Sequence, residues 1–305
     1  MMKKHVAVLL GGWSVEREVS LVSGAAVAKA LRTEGYRVSE IDVTPDIAQS
    51  LTDLKPDVVF NALHGRWGED GCVQGLLEIL NIPYSHSGVA ASSVAMDKIL
   101  AKKLFRSVDI PVAADCLVDK AKLFEREPLP RPFVVKPYNE GSSVGVVIVK
   151  PGDDFSADQP GPWQDADHLM VERYLPGREL TVSVMGGKAL AVTELKPRAG
   201  FYDYEAKYEE DKTDHIIPAD LDQAMTDHLM RLAEKAHDIL GCKGVTRSDF
   251  RLDDGPDGDG IPYILEINTQ PGMTPLSLVP EQARHCGMTF EKLVSWMVED
   301  ASCGR

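Results

Sequence analysis

Two stretches of the chain carry residue types that could do chemistry. The first is FVVKPYNEGSSVGV, residues 133–146. Phe133, Val134 and Val135 suit a pleated strand, Lys136 ends it, and a glycine-serine loop separates it from a second β-branched run, VGVVIVK. Three readings compete. Gly141-Ser142-Ser143-Val144-Gly145 matches G-x-S-x-G, but a nucleophile elbow needs a helix after the serine, and a β-branched run follows here. A phosphate cradle would use loop N–H groups and the nearby lysine. An ordinary hairpin turn is the third. Lys136 favours the cradle, although the loop alone does not decide it.

The second stretch is TRSDFRLDDGPDGDGIPYILEIN, residues 246–268. Two β-like segments flank an Asp/Gly loop, which predicts a hairpin. The loop lacks the order and the closing glutamate of an EF-hand, so a turn is the better reading. Folding about Asp257 and Gly258 sets Asp249 across from Glu266, and Glu266 and Asn268 leave the same face of one strand. Two carboxylates and an amide oxygen then converge, a hard donor set suited to Mg²⁺ or Mn²⁺ beside phosphates. The alternative is a polar outer face on an edge hairpin. Against it, Glu266 lies within apolar YILEI, where burying a lone carboxylate is costly.

The elements that must position these residues follow from periodicity. HVAVLL, YRVSEIDV and DVVFNAL read as strands, and LVSGAAVAKALRTEG and GCVQGLLEILN as helices between and after them. This alternation predicts a parallel α/β sheet, with ligands beyond the carboxyl ends of its strands. Two polar loops stand there, GGWSVEREVS (11–20) and HGRWGEDG (64–71), without a dinucleotide fingerprint or Walker A sequence. From residue 96 the pattern changes to a lysine-rich helix, MDKILAKKLFRSV, then strands, an acidic Pro/Gly insertion over 151–168 and a polar aromatic segment, FYDYEAKYEEDKTD. A capped helix (220–241), the hairpin and a final helix near TFEKLVSWMVED complete the chain. The expected division is 1–95, 96–180 and 181–305.

Composition bounds the function. The chain has 305 residues, 44% hydrophobic and 26% charged, with a net charge of −14. That size accommodates two or three domains, and that charge argues against a nucleic-acid or anionic-membrane partner. Five cysteines without a CxxC pair fit reduced cytoplasmic thiols better than zinc or disulfides. The apolar stretch of MMKKHVAVLLGGW is too short for a leader or a membrane span.

GGWSVEREVS, ALHGRWGEDG, MDK, KPYNEGSSVG, FYDYEAKY and EINTQPGMT occur in that order along the chain. Together they resemble the ATP-grasp superfamily and, within it, the D-alanine–D-alanine ligase family, over nearly the whole length. The resemblance implies an N-terminal parallel α/β domain followed by a two-module ATP-grasp fold. It implies ATP-dependent joining of two D-alanines through an acyl phosphate, for peptidoglycan synthesis, in a cytoplasmic homodimer. Lys98 and Lys136 resemble the phosphate-binding lysines, with Glu172, Leu175, Glu179 and Lys207 completing the nucleotide contacts. Asp249, Glu266 and Asn268 match the ligands of Mg²⁺ or Mn²⁺, two ions in all. Arg247 and the backbone at Gly272 match the oxyanion donors. Glu16 matches the receiver of the first ammonium, linked to Ser142 and Tyr208, while His64 lies near that substrate. Ser277 and Leu278 match the seat of the second carboxylate. Tyr208 points to the amide-forming branch rather than the ester-forming one. On this view Ser142 binds and does not attack, and FYDYEAKY is a lid that excludes water. Arg173 and Tyr174 stand where the family varies, and the acidic insertion has no assigned role. Two other classes stay open at this point: a ligase of the same superfamily with another acceptor, and a serine hydrolase using Ser143. A nucleotide-binding regulator without chemistry is a third.

Overall fold

The structure, a computed structural model, describes residues 3–141, 145–156, 161–163, 166–198, 213–255 and 257–305. Strand β1 (His5–Leu10) is buried along its whole length, as a continuous apolar run in a parallel sheet should be. It pairs in parallel with β2 (Arg37–Asp42) on one side and β3 (Val58–Asn61) on the other. Helices α1 (Arg17–Thr33), α2 (Ile47–Leu54) and α3 (Cys72–Leu80) cover this sheet. The turn after α1 uses Gly35 at φ 84°, a conformation glycine adopts without steric cost.

Next come α4 (Val89–Met96) and α5 (Lys98–Ser107), the latter capped by Asp97, whose side chain accepts from Leu100 N. A four-stranded antiparallel sheet follows, in the order β4 (Asp115–Asp119), β7 (His168–Arg173), β5 (Phe133–Lys136), β6 (Val147–Val149). Strand alternation sends Phe133, Val135, Val149, Leu169 and Val171 into one small core. The opposite face carries Asp115, Val134, Lys136 and Glu172, paired through the register Asp115↔Glu172 and Val134↔Glu172.

A five-stranded antiparallel sheet completes the molecule, in the order β10 (Thr213–Ile216), β9 (Lys188–Pro197), β8 (Arg178–Met185), β11 (Val245–Leu252), β12 (Pro262–Asn268). Helix α6 (Gln223–Ile239) packs on it. The chain then forms α7 (Leu278–His285) and α8 (Phe290–Asp300).

The layering departs from a strictly sequential division in three places. The change of sheet falls between Arg173 and Arg178, at Pro176–Gly177, a few residues ahead of 180. Helix α5 turns its apolar face to the five-stranded sheet, where Ala101 and Phe105 join Leu180, Val182 and Phe250, and meets the four-stranded one through the polar side chains of Lys102 and Arg106. Helix α8 returns to the first domain, where Val294, Met297 and Val298 pack with Val6, Val8 and Leu31. Burial drives the two helix placements: an amphipathic helix settles on whichever open apolar face is nearest in space.

Candidate active site

The residues singled out from the sequence line one cleft with two lobes. Glu16, His64, Arg247, Asn268, Gly272, Ser277 and Leu278 line the first lobe. Lys136, Glu172, Leu175 and Glu179 line the second, while Lys98, Gly141, Asp249 and Glu266 line both. Ser142, Lys207 and Tyr208 lie outside the described residues.

The shared wall is the hairpin of β11 and β12. Its register pairs Asp249 with Glu266, as the turn position predicted, and pairs Arg247 with Asn268. The ladder slips after Asp249, so Phe250 faces Ile264 and Leu265 is an extra residue. Such a bulge re-aims neighbouring side chains. Here Leu265 lines the second lobe and Glu266 both lobes. Asp249 accepts three hydrogen bonds from two side chains: Thr181 Oγ1 donates to Oδ1 at 2.8 Å, and Arg247 donates through Nε to Oδ1 and Nη2 to Oδ2, each at 2.8 Å. Lys98 Nζ lies 2.9 Å from Glu266 Oε2 and donates to the Glu140 carbonyl at 2.6 Å. Cations thus already sit against both carboxylates. The donor set of two carboxylates and one amide oxygen contains no soft ligand and fits a hard divalent cation. Among the described residues no group of three His, Cys, Asp or Glu is placed to hold a metal ion, so this donor set relies on the amide oxygen of Asn268 as its third member.

The first lobe opens at the carboxyl ends of β1 and β3. Ser14 Oγ donates to His64 O at 2.7 Å and accepts from Glu16 N at 3.2 Å, which ties the two loops together. Gly65 has φ 70°, and a Cβ there would meet Glu16 Oε2 at 2.4 Å, so glycine is needed for both reasons. A Cβ on Gly141 would lie 3.4 Å from the same oxygen, which places the lysine loop over Glu16. His64 is buried, with Nδ1 3.0 Å from Glu69 Oε1 and Nε2 3.1 Å from Ser23 Oγ; Ser23 Oγ also accepts from Met273 N at 3.3 Å. With Nδ1–H on the carboxylate, Nε2 accepts from the serine hydroxyl and every polar atom is used. At the far end, Ser277 Oγ accepts from Thr274 N at 2.9 Å, and the N-terminus of α7 begins at the next residue. Helix N-termini favour carboxylates.

The second lobe is built on a buried charge. Glu172 Oε2 accepts from Lys136 Nζ at 2.7 Å, and Oε1 accepts from Lys102 Nζ. Burial pushes the Glu172 carboxyl up, but Lys136 and Lys102 overcome that and hold its pKa at about 2. Arg251 Nη2 donates to Glu179 Oε2 at 2.7 Å on the opposite wall.

Known proteins fit this architecture. A model of the D-ala D-ala ligase C-terminus matches residues 104–299, and one of the N-terminus matches residues 44–87. The D-alanine–D-alanine ligase of Zymomonas mobilis is 54% identical over 98% of this chain and 94% of its own. That of Rhizobium meliloti is 54% identical over 100% of both chains. The crystal structure of D-alanine–D-alanine ligase from Bacillus anthracis complexed with ATP superposes with a TM-score of 0.84 at 29% identity, covering 97% of each chain. This chain belongs to the D-alanine–D-alanine ligase family.

In this member of the family, several side chains complete the site that pattern alone did not single out. Gln270 is buried; its Oε1 accepts from Asn61 Nδ2 at 2.6 Å, its Nε2 donates to Leu63 O, and its backbone N donates to Asn268 Oδ1 at 2.8 Å. The loop of the expected metal ligand is thereby fastened to the end of β3. Ser23, Glu69 and Thr181 orient His64 and Asp249 in the same indirect way. Lys102 and Asp115 form the buried surroundings of Glu172, with Lys102 Nζ 3.2 Å from Asp115 Oδ1. Only Lys102 left a signal, standing four residues after Lys98 on the same face of a helix.

Proposed function

We propose that the protein joins two D-alanines into D-alanyl-D-alanine at the expense of ATP, through an acyl phosphate, in peptidoglycan synthesis. The observation that carries this reading is the continuous cleft: an ammonium-seeking carboxylate, Glu16, and a helix N-terminus at Leu278 share one chamber with Lys98, Arg247 and the Asp249–Glu266 pair. Its second lobe offers a nucleotide the buried Glu172, apolar Leu175 and Glu179.

The first D-alanine lies with its ammonium toward Glu16 and its carboxylate toward the phosphates, near His64. A carboxylate oxygen attacks the γ-phosphorus of ATP, the bond to the β,γ-bridging oxygen breaks, and ADP leaves. Lys98 and Lys136 offset the charge on the transferring group as point charges. Asp249, Glu266 and Asn268 would hold Mg²⁺ or Mn²⁺, two ions in the family pattern, which supply Lewis-acid neutralisation of phosphate oxygens when bound. The second D-alanine, its carboxylate at Ser277 and Leu278, attacks the acyl carbon with a neutral amine. Arg247 and the Gly272 amide donate to the tetrahedral oxyanion, a role typically worth a few kcal/mol. Inorganic phosphate then departs and the dipeptide remains. Ser142, Lys207 and Tyr208 are assigned by resemblance to the lid side of this site. The reading extends to a cytoplasmic homodimer; all five cysteines are free, and no helix among the described residues is long and apolar enough to cross a membrane.

Incubation with ATP, Mg²⁺ and a panel of D- and L-amino acids tests the assignment by following ADP and dipeptide. D-alanine should give both products in equal amounts. A preferred acceptor of another class would replace the reading with a different carboxylate–amine ligase.

A further inference from the structure

Lys102 is fully buried, and its ammonium is used on all three sides: by the Ala113 carbonyl at 3.1 Å, by Asp115 Oδ1 at 3.2 Å and by Glu172 Oε1. Arg106 also pairs with Asp115. Glu172 has its second oxygen on Lys136, at 2.7 Å. The charges around Glu172 are therefore Lys102 and Arg106 from α5, Asp115 from β4 and Lys136 from β5. Two carboxylates face three cations, so Lys136 is the surplus one. Its departure leaves a charge-balanced group of two carboxylates and two cations, of which Arg106 reaches solvent. Burying an uncompensated carboxylate is expensive, and one left so takes up a proton. A balanced one stays ionised.

We propose that Lys102 is a specificity-determining positioning residue for the nucleotide base: it keeps Glu172 an acceptor-only carboxylate when Lys136 swings from it to a phosphate. The inference rests on the nucleotide reading of the second lobe given above. Lys136 then serves both states, parked on Glu172 Oε2 in one and on the phosphates in the other. The vacated oxygen can accept from an exocyclic amino group, as on adenine, and repels the carbonyl oxygen that hypoxanthine carries at the same position. A protonated Glu172 would donate instead and would accept that carbonyl. Lys102, which touches no base itself, thus decides which base Glu172 reads.

The test is calorimetric binding of ATP and inosine triphosphate to the full chain with Mg²⁺ and no amino acid, between pH 6 and 7.5. The wild type should prefer ATP by roughly a hundredfold or more, as a site built for one hydrogen-bonding pattern does, and the ratio should be flat with pH. In Lys102→Met the ratio should fall at least about tenfold at pH 6 and recover as pH rises, because Glu172 now titrates. Lys102→Gln, which keeps a donor in place without the charge, carries the same expectation if the methionine variant does not fold. Lys102→Arg and Asp115→Asn, which both leave a cation on Glu172, should keep the wild-type ratio. A wild-type ratio, flat with pH, in both neutral variants would overturn the proposal, as would a wild type that binds the two nucleotides equally. Because binding is read without turnover, a protein that binds ATP selectively but ligates nothing would count against the proposed reaction and still support the role of Lys102.

Discussion

Lys98 Nζ and Glu266 Oε2 stand 2.9 Å apart, so the first residue of a helix closes on a strand carboxylate from another layer of the fold. The contact shows that Glu266 faces positive charge in the cleft. It leads to the first prediction. Glu266→Gln keeps the shape and removes the charge that a divalent cation needs, so turnover should fall by about two orders of magnitude or more, with the melting temperature little changed. Assay of ADP release across Mg²⁺ concentrations checks it, and full activity in excess EDTA would refute the metal assignment.

Lys136 and Ser143 separate two chemistries. Lys136→Ala should lower kcat/KM for ATP by roughly a hundredfold or more, the scale of losing one preorganised electrostatic contact. Ser143→Ala should leave product formation within about threefold, since binding loops tolerate loss of one hydroxyl. An inactive Ser143→Ala with an acyl-serine adduct by mass spectrometry would restore the hydrolase reading.

Gly65→Ala should be selectively damaging. The residue has φ 70°, and the new Cβ would lie 2.4 Å from Glu16 Oε2. Displacing Glu16 by about 1 Å can cost on the order of a hundredfold in a positioned reaction, while the second lobe is untouched. Steady-state kinetics should show KM for D-alanine rising steeply and ATP affinity unchanged. A parallel loss of both would mean a general folding defect.

Gln270→Leu tests the fastening between Asn268 and the end of β3. It leaves the Leu63 carbonyl without its partner and removes one of the two acceptors of Asn61 Nδ2, the Gly68 carbonyl remaining, at a cost of about 1–3 kcal/mol of stability. The Mg²⁺ concentration for half-maximal activity should rise several-fold along with the loss in thermal stability. If only stability falls, Gln270 does not position the cation site.

Acid should unfold the protein early. Burial lowers His86 from 6.5 to about 3 and His237 from 6.5 to about 4. As pH falls below 6.5 the unfolded chain takes up these protons and the folded chain does not, so stability is lost from pH 6.5 down to about 4 for His237 and about 3 for His86. Each such histidine contributes a slope of about 1.4 kcal/mol per pH unit inside its window. Glu172, depressed from 4.5 to about 2, is stabilising above its unfolded value and adds a further loss below pH 4.5. Chemical denaturation at several pH values should show the decline, and His237→Gln should flatten it between pH 4 and 6.5.

What the sequence made legible was whatever depended on short-range pattern. The parallel strands His5–Leu10 and Val58–Asn61 announce themselves by unbroken apolar runs, and Asp249 opposite Glu266 follows from turn position and strand period. The bulge at Leu265 was not legible, because ladder slip depends on what packs on both faces of the hairpin. Lys102 shows in sequence only that it shares a helix face with Lys98, and nothing there signals its burial. Its burial is tolerable only because Glu172 and Asp115 arrive from strands β7 and β4. The links of Gln270 to Asn61 and Leu63 span more than two hundred residues and are likewise set by docking of the domains.

The return of helix α8 to the first domain bears on how the chain is made. Val294, Met297 and Val298 pack with Val6, Val8 and Leu31, so this core cannot be completed until residues 290–300 have been synthesised. Until then the part of that sheet face which α1 does not cover stays apolar and open, which is the kind of surface that chaperones hold and that aggregates at high concentration. A truncation ahead of Phe290 should therefore harm the parallel domain of β1–β3 more than the five-stranded sheet.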